Sequence, residues 1–285
     1  MSNKGINHII YFWEENSMKK MGGILVMLLV TCLVLVGCSS SGSSANRTEQ
    51  KETVPVEKKE IFVSAAASLK DAMTEIETQY EAKNAGINLT INYGSSGSLQ
   101  QQIEQGAPTD LFISAGKKQM DALEKGNLLA EGTRMNLLGN DLVLITGKDN
   151  KSITSFQDLT KADKISIGTP DSVPAGKYAQ ESLTSMKLWS TLQAKFVMAK
   201  DVTQVLTYVE SGNVDAGIVY QSDAQGSDKV KVVAVAPADS HSAIVYPAAV
   251  IAGTKNLTEA KNFLSYLSSD DAQQIFVKYG FKIIK

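Results

Sequence analysis

From Ile61 to the end of the chain, short apolar runs alternate with stretches whose apolar residues recur three and four apart. That βα rhythm restricts the chain to an α/β fold built on largely parallel sheets. Ile61-Phe62-Val63 reads as a strand, and Leu69, Ala72, Met73, Ile76 and Tyr80 follow it at helical spacing. Ile87, Leu89, Ile91 and Tyr93 alternate as a second strand, a glycine-serine turn leads into a helix from about Leu99 to Glu104, and Leu111-Phe112-Ile113 is a third strand. A second βα series starts at Leu142 and runs through Ile165 to Gly168, helices near 176–186 and 202–210, and strands at 217–220 and 230–235. Two amphipathic helices, 257–267 and 270–279, close the chain. The natural division is two lobes, with the last helices returning to the first; the roughly 225 residues available are ample for both.

The residues before Ile61 have a different character. Lys19 and Lys20 precede a nearly unbroken apolar run from Gly22 to Val36, which ends at Gly37-Cys38. This is the pattern of an export signal, and the run is too short for a confident membrane span. Residues 1 to 17 carry Trp13, Glu14 and Glu15 and suit such a signal poorly, so translation is expected to begin at Met18 or Met21. Leu35-Val36-Gly37-Cys38 resembles a bacterial lipobox, whose cysteine is diacylated and becomes the first residue of the mature protein; two acyl chains anchor stably where one does not. Residues 39–60 are polar and charged with almost nothing to bury, as expected of a tether. The expected division is therefore a signal over 1–38, a tether over 39–60, a first lobe over 61–141, a second over 142–246, and a return to the first over 247–285.

In an open parallel sheet, ligands bind beyond the carboxyl ends of the strands, where helix N-termini offer unpaired N–H groups. Five strand-to-helix turns therefore hold the candidate functional residues. They are Ala65–Leu69 with Ser68, Tyr93–Leu99 with Ser98 and Gln101 at capping-box spacing, Asp171–Gly176 with Pro174 at a helix start, Lys200–Val202 with Asp201 as a cap, and Tyr220 before Gln221-Ser222-Asp223. Taken singly, each is explained by ordinary capping or packing.

Together these residues resemble the molybdate-binding proteins of ABC importers. The resemblance is carried by AAASL at 65–69, GAPTDLFISA at 106–115, LLGNDLVL at 137–144, VPAGKYA at 173–179, GIVYQSDA at 217–224 and IFVKYGF at 275–281. It implies a two-lobed type II periplasmic-binding-protein fold, each lobe a mainly parallel sheet flanked by helices, with crossings near 140–142 and 246–247. It also implies an oxyanion site in which Ser68, Ser96 and Tyr220 offer hydroxyls and Ala175 and Val202 offer backbone N–H groups. The ligand would be molybdate or tungstate and the partners a permease and its ATPase, with the binding protein a monomer held to the membrane through Cys38. Gly97 stands where relatives often keep a third serine, which leaves the choice between Ser95 and Ser96 open, with Ser96 taken as the match.

The residue types suit this chemistry. A fully ionised dianion accepts hydrogen bonds and donates none, so a fitting site presents donors alone. Arg134 is the one arginine beyond the tether, so an arginine fork is not expected to carry recognition. Hydrogen phosphate, whose proton needs an acceptor, is expected to be rejected, with Asp201 the residue that could accept it. Sulfate, another small solute or a sensor role remains the alternative within binding. An enzyme is not expected: Gly94-Ser95-Ser96-Gly97-Ser98 looks like an exposed nucleophile, but His241, the one histidine after the signal, lies in a polar stretch. The two cysteines are Cys32 and Cys38, so the mature domain has no thiol for a disulfide, a nucleophile or a metal site. A formal charge of −2 gives no basic footprint for nucleic acid.

Overall fold

A computed structural model describes residues 58–284; the signal run, Cys38 and the tether as far as Glu57 lie outside the described residues. Strand β1 (Lys59–Ala66) runs into a 3-10 turn (Ala67–Leu69) and helix α1 (Lys70–Lys83). Strand β2 (Ile87–Gly94), helix α2 (Ser96–Glu104), strand β3 (Leu111–Ile113), helix α3 (Lys117–Lys125) and strand β4 (Met135–Gly139) follow. The second series begins two residues later with β5 (Leu142–Gly147), then β6 (Ile165–Gly168), α4 (Pro174–Ser185), α5 (Trp189–Leu192) and β7 (Phe196–Ala199). It ends with α6 (Val202–Glu210), β8 (Ala216–Tyr220), α7 (Gln221–Gln225) and β9 (Val230–Val235). The chain then returns through β10 (Val245–Val250), α8 (Leu257–Leu267), α9 (Asp270–Lys278) and β11 (Lys282–Ile283).

These strands form two sheets, one of six strands in the order β11-β4-β10-β3-β1-β2 and one of five in the order β7-β6-β8-β5-β9. Helices flank both, giving the two-lobed α/β architecture. The sheets are mixed rather than mainly parallel. Pairs β1–β2, β1–β3, β6–β7 and β6–β8 are parallel, because a helix carries the chain back between them. Pairs β10–β3, β10–β4, β5–β8 and β5–β9 are antiparallel, because β5 and β10 arrive from the other lobe and enter from the opposite end, and β11 also pairs antiparallel with β4.

Three boundaries differ from the expectation. Strand β1 starts at Lys59, inside the expected tether, because backbone pairing with β2 runs from Lys59↔Ile87 while the first two side chains stay exposed. Helix α2 starts at Ser96 with Ser95 as its cap, where sequence spacing suggests Ser98: Ser95 Oγ accepts the Ser98 N–H at 3.3 Å. The return to the first sheet is complete by Val245, so Tyr246 and Pro247 lie within β10 and not at a crossing. A register shift between Tyr246 and Pro247 accommodates the proline's missing N–H, and the Pro247 carbonyl still accepts from Ser114 N at 3.0 Å.

The expected apolar faces supply the core. Ala72, Met73, Ile76 and Tyr80 of α1 are buried, and Tyr80 packs on Phe263 and Tyr266 of α8 with ring centroids 4.7 and 5.0 Å apart. That contact is what brings the terminal helices back to the first lobe. A run of edge-on aromatic pairs connects the C-terminus to the junction between the lobes: Phe276 to Phe281 (5.8 Å), Phe281 to Tyr246 (5.4 Å), Tyr246 to Tyr220 (5.6 Å) and Tyr220 to Tyr178 (6.5 Å). Among the described residues, no helix is long and apolar enough to cross a membrane.

Candidate functional site

All five candidate residues line one small cavity between the two sheets. Each reaches it for a local reason. Ser68 lies in the 3-10 turn where β1 gives way to α1, and Ser96 is the first residue of α2. Ala175 follows Pro174 in the opening turn of α4, and Val202 opens α6 after its cap Asp201, whose Oδ1 accepts from Gln204 N at 2.8 Å. The N–H groups of Ala175 and Val202 thus fall in first helical turns, where no intrahelical carbonyl is available. Tyr220 ends β8 from the second lobe, its side chain 1% exposed and its hydroxyl 3.4 Å from the Ala115 carbonyl of the first lobe.

The serines of α2 have different surroundings. Ser95 spends its hydroxyl hydrogen on Ser98 Oγ at 2.8 Å while its oxygen caps the helix. Ser96 Oγ instead accepts the Ala115 N–H at 2.9 Å and is buried against the cavity. Ser68 Oγ is 2.9 Å from the Tyr246 hydroxyl, a residue in β10 that fully buries its ring.

Among the described residues, no lysine or arginine lines this cavity, and Asp201 is its one carboxylate. Arg134 pairs with Asp121 and Glu124 on the outside of the first lobe. Burial pushes the hydroxyls of Tyr220 and Tyr246 well above the ordinary tyrosine range, so both stay protonated and can donate. The cavity therefore presents hydroxyls and helix N-terminal N–H groups, a set suited to holding anionic oxygen and unsuited to binding a bare cation. Among the described residues, no group of three or more His, Cys, Asp or Glu side chains is placed to hold a metal ion. His241 lies outside the cavity, its Nδ1 2.8 Å from the Ser242 carbonyl and its ring against Tyr178.

Gly97 explains itself in the structure. Its N–H donates across the lobe junction to the Ser172 carbonyl at 2.9 Å, and an added Cβ would lie 2.6 Å from that oxygen and 2.8 Å from Ser172 Cα. A serine could not occupy this position with the lobes so close. Sequence reading also misses the polar support of the site, Asn140, Ser222 and Tyr246, although the first falls inside the LLGNDLVL block and the second inside the GIVYQSDA block. Their pairing spans up to 106 residues, which no local spacing reveals.

A cavity of this kind, set between two α/β lobes and furnished with donors, is that of a solute-binding protein. Residues 61–282 match the family of bacterial extracellular solute-binding proteins, and the chain belongs to it. That family is a non-enzymatic component of transport, and it places the domain outside the cytoplasm. The chain is 47% identical over 265 residues, 93% of its length and 99% of the relative's, to YvgL of Bacillus subtilis, provisionally named an ABC transporter substrate-binding lipoprotein. It is 43% identical over 230 residues, 78% of its length and 89% of the relative's, to the molybdate-binding protein ModA of Escherichia coli. Among solved structures it resembles the periplasmic molybdate-binding protein of Azotobacter vinelandii, with a TM-score of 0.73 and 25% identity over 79% of this chain and all of that one.

Proposed function

We propose that this chain captures molybdate between its two lobes and delivers it to the permease and ATPase of an ABC importer, tungstate being accepted equally because it has the same charge and nearly the same size. The carrying observation is the cavity itself: Ser68, Ser96, Ala175, Val202 and Tyr220 bring donors together with no cationic side chain among the described residues. The names of the curated relatives support the same ligand.

Energetics permit it. A hydrogen bond to a charged group contributes about 1.5–3 kcal/mol net, and micromolar affinity needs about 8 kcal/mol. Five such bonds reach that after offsetting part of the dehydration cost. Ser96 rather than Ser95 is the second ligand in this reading, since the hydrogen of Ser95 is already committed to Ser98. Residues 1–38 act as the lipoprotein signal, with Cys38 the lipidated residue, and 39–60 tether a monomeric domain to the membrane.

Calorimetric titration of the full chain with molybdate, tungstate, sulfate and phosphate tests this. Molybdate and tungstate are expected to bind with micromolar affinity or tighter, sulfate far more weakly, and hydrogen phosphate weakest of all. Sulfate as the tightest ligand would overturn the proposal.

A further inference from the structure

The donors of this cavity are held in place by groups outside the five. Asn140, 7% exposed, sits in the short crossing between β4 and β5. Its Oδ1 accepts the Asp141 N–H at 2.9 Å, which settles which end of the amide carries the hydrogens. The two hydrogens on Nδ2 then go to Ser222 Oγ at 2.9 Å and to the Tyr246 hydroxyl at 3.3 Å. A tyrosine hydroxyl has one hydrogen. With its oxygen accepting from Asn140, that hydrogen is available to Ser68 Oγ, 2.9 Å away. Ser68 then accepts from Tyr246 and turns its own hydrogen to the cavity. Ser96 is arranged alike, its oxygen accepting from Ala115 N.

We propose that Asn140 and Tyr246 are positioning residues that form a one-way hydrogen-bond relay, holding the Ser68 hydroxyl as a donor so that the site prefers an oxyanion without protons. The inference rests on the oxyanion reading above and adds to it a residue-level source of selectivity. It also ties selectivity to the junction of the lobes: Tyr246 belongs to the first sheet, Ser222 to α7 of the second lobe, and the Asn140 amide bridges them. Parting the lobes would pull on the same amide that directs Ser68.

Two substitutions test the relay with opposite chemistry. Asn140→Asp replaces the donor nitrogen by an acceptor oxygen. The Tyr246 hydrogen then turns toward that carboxylate, Ser68 must donate to the Tyr246 oxygen, and a lone pair faces the cavity. Hydrogen phosphate gains a partner and molybdate loses one. At about pH 8 both ligands are dianions, so repulsion by the new charge acts on them alike and their affinity ratio isolates the relay. The preference for molybdate over hydrogen phosphate is expected to fall about 100-fold. Tyr246→Phe keeps the ring packing but leaves Ser68 free to rotate; molybdate affinity is expected to fall about tenfold.

Both are measured on the full chain by competition calorimetry, with thermal melts to establish folding. An unmoved ratio in a folded Asn140→Asp chain, or unchanged molybdate affinity in Tyr246→Phe, overturns the relay. The second variant decides alone if the first does not fold. A wild-type chain that binds none of the oxyanions overturns the functional reading and the relay with it, whereas tight wild-type binding with unaffected variants overturns the relay only.

Discussion

At Gly97 the absence of a side chain sets how closely the lobes approach. The N–H that α2 cannot use within itself reaches the Ser172 carbonyl because no Cβ intervenes. Gly97→Ala is therefore expected to weaken oxyanion binding at least about tenfold, mostly through faster release, since a partly open cleft holds its ligand less well. Stopped-flow dissociation would show it. Ser96→Ala removes one charged hydrogen bond and leaves the buried Ala115 N–H without its acceptor, so a loss of about 10- to 100-fold is expected in the same titration. The five lining residues were legible from the resemblance, and four of their turns already from helix-start chemistry. Gly97 was legible only as a departure from pattern, because its reason lies in a backbone carbonyl 75 positions away, at Ser172.

Helix α4 presents its first turn to the cavity because it lies directly on β6. A Cβ at Gly176 would stand 1.9 Å from the Gly168 carbonyl. Gly176→Ala should cost about 1–3 kcal/mol or more by overpacking and should lower the melting temperature as well as the affinity, whereas Gly97→Ala should lower affinity alone. Helix α7 carries a different sensitivity. Burial pushes the Asp223 carboxyl up to about 7, with Asp71 and Asp201 adding repulsion, although its Oδ2 accepts the Tyr220 N–H at 3.0 Å. The folded chain therefore holds a proton here that the unfolded chain gives up near the ordinary carboxylate value. The associated stability is fully present below about pH 4 and is lost as pH rises through about 7. Melts of Asp223→Asn and wild type between about pH 5 and pH 8 should diverge, the variant gaining by up to about 1.4 kcal/mol per pH unit. Long periodic elements such as α1, α6, α8 and α9 were readable in the sequence. Strands β4, β7 and β11 were not: β4 is separated from β5 by Asn140 and Asp141 alone, and β7 and β11 are short edge strands with little alternation. Strand direction was also hidden, because it depends on which lobe the chain has just left.

At the scale of the whole molecule, the proposed anchoring and the proposed capture are separable. Cys38→Ala is expected to release the protein from the membrane while its oxyanion affinity, measured by calorimetry, stays unchanged. The two sheets also differ in how they are drawn from the chain. The second takes all five strands from one uninterrupted stretch, 142–235, whereas β10, residues 245–250, sits between β4 and β3 in the middle of the first. A chain emerging N-terminus first would thus have the means to complete its second lobe while the first remained in two halves awaiting their central strand. The cavity between the lobes cannot form until β10 has been made. Synthesis stopped near residue 240 should yield one protease-resistant lobe and one that is digested, so a prematurely ended copy would be cleared rather than compete for the importer.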